Sequence, residues 1–311
     1  MRDTTVERPS QPTAPPRPAP AKAKQPTQAP QRSLAGRLAA VPTHALLVLA
    51  CVVWVVPVLG MLVTSFLPNS FSLTNGWWEA FTRPSFVPDN YLHAFTQTSL
   101  WDRVLASFAI AVPSTLIGVL ISALAAYALT CMPLPGRRAI MFAVTTLLVI
   151  PPQVVLAPLL RLVHAVGMDG SVSAVWIYEV GLSVPFGIVV LTSAFEALPR
   201  ELIEAAAIDG ASNFTTFFRV IVPVARGSIA GVAVIFFLWG WNELLGALIF
   251  IGTDAKNSPL TTTIAGMAQG ETQDQNLILA TAALSIVVPA VVFLALQRFF
   301  VRGVLGGAVK G

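Results

Sequence analysis

Six stretches of the chain are apolar for about the length a bilayer core demands: residues 43–67, 104–130, 139–160, 173–195, 228–251 and 275–297. A helix that crosses the hydrocarbon needs about 20 mostly apolar residues. The runs are continuous and do not alternate, which predicts helices and argues against barrel strands. The expected fold class is therefore an all-α integral membrane protein with about six transmembrane helices. The fourth run carries Glu179 and the fifth Glu243, so these two are interrupted by polar positions.

Between the fourth and fifth runs lies a stretch of different character, ELIEAAAIDGASNFTTFFRVIVP, residues 201–223. Pro199 suits a first helical turn, where its missing N–H is not needed. Glu201 and Glu204 then sit near the positive end of a short helix, and Ala205, Ala206 and Ala207 form helix well with little bulk. Gly210 fits the left-handed position that ends a helix, and Ser212 can cap the next one. That second helix places Phe214, Phe217, Phe218 and Ile221 on one apolar face, and Pro223 is expected to end it. The segment reads as helix–turn–helix. Its small-residue surface suits either a groove on another protein or an interfacial position with no partner.

Composition agrees with the hydropathy pattern. The chain is 55% hydrophobic and 11% charged, far from the quarter or so of charged residues in soluble domains. Mean hydropathy is +0.73. Of the 19 Lys and Arg, only Arg83, Arg103, Arg161 and Lys256 fall in outside segments if the N-terminus is cytoplasmic. Arg137 and Arg138, then Arg200, Arg219 and Arg226, lie inside. Positive residues favour the cytoplasmic side, so both termini and the 201–223 stretch are expected there. Trp77, Trp78 and Trp101 fall in the first outside segment, where interfacial aromatics belong. Residues 1–32 are rich in Pro, Gln, Ala and Thr without apolar periodicity. They suggest a disordered cytoplasmic tail over 1–40, ahead of a membrane domain over 41–311. The tail lacks the short apolar core of a secretory signal.

Other residue types add little. Cys51 and Cys131 suggest neither a disulfide framework nor a zinc site, and His44, His93 and His164 are scattered. Several prolines fall within the runs, among them Pro57, Pro113, Pro151, Pro152, Pro158, Pro185 and Pro289, where neighbouring helices can satisfy the freed backbone groups. Ser107, Ala111, Ser114, Gly118 and Ser122 form a small-residue stripe on the second run that favours close helix contact.

EAAAIDG at 204–210, followed by VIVP at 220–223, resembles the EAA loop of ABC importer permeases, whose pattern is EAA, three residues, Gly, nine residues, then I-x-L-P. Val stands where the pattern has Ile and Leu. The resemblance implies that the loop is a coupling helix seated in a cleft on a separate ATPase, with Glu204, Ala205, Ala206, Asp209, Gly210 and Pro223 carrying the coupling. WNELL at 241–245 is similar to the WNEF/WNDF element of sugar permeases. QRFFVRGVLGGAVKG at 297–311 is similar to the QRYFVRGLTAGAVKG ending of one subunit of that branch. IPPQVVLAPL at 150–159 fits the same maltose/multiple-sugar group. The resemblance covers roughly residues 88–311 and implies a type I importer permease in a bacterial plasma (inner) membrane.

Asn242 and Glu243 are candidates for the solute path. A charge at the bilayer centre costs about 2.5–3.5 kcal/mol on insertion scales, so Glu243 is expected to face a cavity or a hydrogen-bonded neighbour. Both a polar group near the sugar path and a buried tie between helices meet that demand. Glu179, near the outer end of its run, is expected at a wet interface, and His164 in solvent. No G-x-x-x-x-G-K-[ST] loop occurs and no nucleophile–base constellation, so the chain is expected to be no enzyme. It is expected to bind no cofactor or metal, leaving ATP and Mg to a partner ATPase. By the resemblance its partners are a second homologous permease subunit, two copies of an ABC ATPase and an extracytoplasmic sugar-binding protein, besides membrane lipid and without nucleic acid. A self-sufficient secondary transporter would need coupling ions held by intramembrane ionisable residues, for which only Glu179 and Glu243 stand available. A permease for another solute class remains the alternative within the family.

Overall fold

The computed structural model describes residues 34–253, 256–270 and 274–308, with side chains placed over 44–253, 256–270 and 274–297. Most of the tail expected over 1–40 lies outside the described residues. Residues 34–40 belong instead to a helix, because LAGRLAA is rich in good helix formers and runs directly into the first apolar run.

Two compact units are distinguished, Met1–Trp54 and Val55–Gly311. The described part of the first is the leading portion of helix α1 (Leu34–Ser65). Its side chains from residue 44 onward are exposed and almost all apolar. The second unit opens with the end of α1. It continues through α2 (Asn69–Ser72), a 3-10 turn at Trp77–Phe81, α3 (Asp89–Gln97), α4 (Leu100–Cys131), α5 (Arg137–Leu147), α6 (Pro152–Ala165) and α7 (Val172–Glu196). Then come α8 (Glu201–Ile208), α9 (Asn213–Thr216), a π turn at Phe217–Ile221, α10 (Val222–Val224) and α11 (Arg226–Trp241). The chain closes with α12 (Leu245–Phe250), α13 (Leu260–Gln269) and α14 (Gln275–Ala308). All regular elements among the described residues are helical.

Four helices are long and apolar enough to cross a membrane, and the number rises to 6 if each of two bent pairs counts as one span. The third expected span, 139–160, is one of the bent pairs: α5 and α6 meet at 96°. The cause is Pro151 and Pro152. Leu148, Val149 and Ile150 finish α5 with tight bonds to Thr145, Thr146 and Leu147. Pro151 is extended, with ψ 133°, and Pro152 opens α6. A residue before proline is pushed from the helical region, and the ring removes the donor the helix would need. Pro113, Pro185 and Pro289 stay within continuous helices.

The fifth expected span, 228–251, also differs. It ends at Trp241, and residues 242–244 separate α11 from α12. The Asn242 side chain donates to the Leu238 carbonyl at 2.7 Å. The Glu243 carboxyl accepts from the Gly246 N–H. Side chains that satisfy backbone groups locally compete with the helical ladder, and here they open it.

At the centre, α4 packs along α7 and α11, and α11 also packs on α14. The small-residue stripe makes the close approach possible, and all five of its members are buried. A Cβ on Gly240 would lie 3.0 Å from the Ala111 Cα. One on Gly187 would lie 2.3 Å from the Ser122 Oγ. Buried amides tie the segment before α3 to the bundle. The Asn90 Nδ2 donates to the Ser65 and Leu67 carbonyls at 2.8 and 2.9 Å, and the Asn276 Nδ2 donates to Leu67 and Ser72.

Candidate functional site

Two places combine the residue types singled out by the sequence. The first is the loop from Arg200 to Ala225. Its first helix, α8, starts with bonds from Leu202 to the Pro199 carbonyl and from Ile203 and Glu204 to the Arg200 carbonyl. It ends in a paired reversal: the Ala211 N–H reaches the Ala206 carbonyl at 2.9 Å and the Gly210 N–H the Ala207 carbonyl at 3.1 Å. Gly210 has φ +72° with open space where a Cβ would stand. This is the turn in which glycine satisfies a helix end. The Ser212 Oγ then accepts from the Thr215 N–H at 3.3 Å and caps α9.

Beyond the cap the structure departs from a simple amphipathic helix. Phe217 and Ile221 are buried in a cluster with Ala123 and Tyr127 of α4, Leu191 and Phe195 of α7, and Val232 and Phe236 of α11. Phe217 meets the Tyr127 ring edge-on at 5.4 Å. Phe214 and Phe218, expected on the same face, are 70% and 41% exposed. The π turn separates them, because each residue in it turns less about the axis and the register slips. Pro223 does not end the helix as expected. The chain stays helical through Val224 and bends by 82° into α11 at Ala225. Proline clashes with the carbonyl four residues back. That carbonyl, of Arg219, belongs to the widened turn, where the Val222 N–H reaches Phe217 instead.

The loop residues sort by direction. Glu204, Ala205, Asp209, Gly210 and Pro223 are exposed, whereas Ala206 is 7% exposed and faces inward. Ile203 packs against the same cluster as Phe217. The outward face of α8 also carries Ile208, 86% exposed, which the sequence reading had not singled out.

The second place is a cavity of about 780 Å³. Two breaks in the bundle and one face of α7 converge on it. Ile150 and Pro152 come from the break between α5 and α6, Tyr178 and Glu179 from α7, and Trp239, Asn242 and Glu243 from the end of α11 and the break after it. Broken helices at membrane depth are tolerated where they are buried in protein or line a cavity. Glu243 also ties elements: its carboxyl holds Gly246, and its carbonyl accepts from the Thr261 hydroxyl at 2.7 Å. Both roles weighed for it from the sequence, cavity wall and helix tie, are thus filled by one residue.

Glu179 is not at a wet interface. It is 6% exposed and lines the same cavity as Glu243. It stands roughly 10 Å along α7 from Val172, and its helix face looks inward. Its depth was available in the sequence; its direction was not. The Trp239 and Phe186 rings meet at a tilt of 57° with centroids 5.1 Å apart, and both line the cavity. His164 is exposed as expected and pairs with Asp169 at 2.9 Å.

The family described as binding-protein-dependent transport system inner membrane component matches residues 34–306. The chain is 39% identical over 273 residues to the osmoprotective compounds uptake permease protein GgtD of Synechocystis sp., covering 86% of this chain and 92% of that one. It is 40% identical over 240 residues to the alpha-glucoside transport system permease protein AglG of Rhizobium meliloti, covering 76% and 63%. To the diacetylchitobiose uptake system permease protein NgcG of Streptomyces coelicolor it is 32% identical over 281 residues, covering 88% and 89%. Among solved structures, a chain of a bacterial ABC transporter involved in the import of the acidic polysaccharide alginate shares the fold. Its TM-score is 0.66 at 19% identity, covering 88% of this chain and all of that one.

Proposed function

The chain belongs to the family of binding-protein-dependent transport system inner membrane components, and from that premise we propose that it is half of the transmembrane pathway of a sugar or oligosaccharide importer. The other half is a second homologous permease. Two copies of an ABC ATPase bind below, use ATP and Mg, and receive the loop from Arg200 to Ala225. A sugar-binding protein delivers the solute from outside. Both termini and the loop lie in the cytoplasm, a placement supported by the distribution of Lys and Arg.

One observation carries the coupling role. The loop is a capped helix with a glycine reversal, its inner side packed into the bundle and its outer side free to meet a partner. Glu204, Ala205, Asp209 and Gly210 present that outer side. Ala206 and Pro223 act from behind it, Ala206 by seating α8 and Pro223 by fixing the bend into α11. When the ATPase pair closes on ATP, the loop moves with it, and the packed helices switch access from one side to the other as rigid bodies. Asn242 and Glu243 line this chain's share of the path.

A sugar cargo is supported by relatives named for alpha-glucoside and diacetylchitobiose transport. The relative named for osmoprotective compounds favours a second reading, a small compatible solute. Purification from the native membrane in mild detergent tests the assembly. A P-loop ATPase at about two copies with one homologous permease is the expected result. Recovery of this chain alone, driving uptake into liposomes without ATP, would overturn it.

A further inference from the structure

The cavity between the two helix breaks and α7 holds two carboxyl side chains that no lining residue neutralises. Glu179 and Glu243 both line it, and among the described residues no Lys, Arg or His does. The Glu243 carboxyl accepts from the Gly246 N–H. Asn242 and Ser183 are the other polar residues of the lining; the rest is apolar or aromatic, with Trp239, Phe186 and Tyr178 prominent. Carboxyl oxygens accept hydrogen bonds from hydroxyl groups, and aromatic faces take the C–H faces of a sugar ring. An anionic solute finds the opposite. Its oxygens also accept and cannot pair with those of Glu179 and Glu243, and in a site of low dielectric that mismatch is costly.

We propose that the Glu179–Glu243 pair makes this cavity a filter against negative charge, so that the imported solute is a saccharide without carboxylate, sulfate or phosphate groups. The inference rests on the importer reading and narrows its cargo. It also sets this chain apart in cargo chemistry from its fold neighbour, the transporter involved in import of an acidic polysaccharide.

The test needs neither the identity of the sugar nor ATP turnover. In the importer complex purified from its membrane, Cys51 and Cys131 are replaced by serine and Asn242, exposed on the cavity wall, by cysteine. The rates at which this chain reacts with the neutral hydroxyethyl and the anionic sulfonatoethyl methanethiosulfonates are read by intact mass and normalised to a free thiol. A cleft lined by one sign of charge changes approach rates by about tenfold or more, so the neutral reagent should lead by at least that factor. Glu179→Gln with Glu243→Gln should bring the two rates to within about threefold, and the isosteric amides keep hydrogen-bonding capacity where the doubly substituted complex is confirmed intact by gel filtration. Equal rates in the parent, or a ratio that survives both substitutions, would overturn the filter and leave the importer reading standing. Failure of the neutral reagent to react at all would show that the cavity is no water-filled path and would overturn both the filter and the path role.

Discussion

Substituting Gly210 by asparagine, alanine and valine in turn should grade the coupling of this importer without removing the protein from the membrane. The backbone there holds φ +72°, and a Cβ would meet nothing within 4 Å. The cost is therefore conformational and not steric. An L-residue in the left-handed region costs roughly 1–2 kcal/mol, asparagine tolerates it best, and a β-branched residue is an outlier there. A change of about 1–2 kcal/mol lowers a two-state population by about 5- to 30-fold. That reduction falls on the reversal that links α8 to the cap at Ser212. The helices of the bundle keep their contacts. Binding-protein-stimulated ATP hydrolysis of the reconstituted complex should fall in the order glycine, asparagine, alanine, valine, with valine losing at least about tenfold at unchanged membrane levels. Gly136 supplies the control. It has φ +73° and equally open surroundings, and it stands in the turn between α4 and α5, outside the loop itself. Gly136→Val should cost similar local stability and spare the stimulated hydrolysis. Equal effects of asparagine and valine at Gly210, or equal loss at the two glycines, would refute the argument.

Neighbouring positions carry further expectations. Ala206→Leu adds bulk against a surface where the residue is 7% exposed, and overpacking of about 1–3 kcal/mol should lower the melting temperature of the purified chain. Ala205→Leu, on the exposed side, should leave the melt unchanged and reduce the ATPase recovered. Ile208→Asp removes no internal contact of a side chain that is 86% exposed. Stability should stay within about 0.5 kcal/mol, while ATPase retained in detergent drops about fivefold or more if Ile208 anchors the contact; undiminished retention would remove Ile208 from the interface. Asn90→Ala leaves the buried Ser65 carbonyl without its amide donor, while the Leu67 carbonyl keeps that of Asn276. A loss of about 1–3 kcal/mol should appear as faster hydrogen exchange at residues 65–67 with helix α11 unaffected.

The parts of this molecule legible from sequence are those set by local chemistry. The reversal at Gly210 and the cap at Ser212 follow from backbone geometry and a single hydroxyl, and both stand where the residues imply. The apolar runs locate the spans because bilayer thickness fixes their length. What local pattern could not supply is direction. A run of apolar residues through Pro151 and Pro152 reads as one span, since hydropathy is blind to a 96° bend. Phe214, Phe217, Phe218 and Ile221 share a face only at 3.6 residues per turn, and the π turn breaks that spacing. Glu179 was assigned to the interface by its distance from the end of the run, while burial depends on which neighbours its helix face meets. Glu243 lines a cavity and holds Gly246, but the break that lets it do so arises from competition between side chain and ladder, which a hydropathy window averages away.

The two sites are joined by a single element. Helix α11 begins at Arg226, beside the bend that ends the loop, and finishes at Trp241, beside Asn242 and Glu243. Its 16 residues make a rod of roughly 24 Å. Beside its start Ala225, and along it Val232 and Phe236, share a buried cluster with Phe217 and Ile221 of the loop. Near its last turn Trp239 lines the cavity, while Trp241 is pinned to α14 by its Nε1 donating to the Ser285 carbonyl at 3.2 Å. Close-packed interiors shift between discrete arrangements and do not deform smoothly. A displacement imposed on the loop must therefore move the near end of α11 with it, and the rod carries that motion to the break at 242–244. The break is where the helix can yield, because its ladder is already interrupted there. The same Glu243 that closes the cavity wall thus sits at the hinge the loop would drive, which gives a physical reason for a polar residue at this depth beyond either a tie or a solute contact alone.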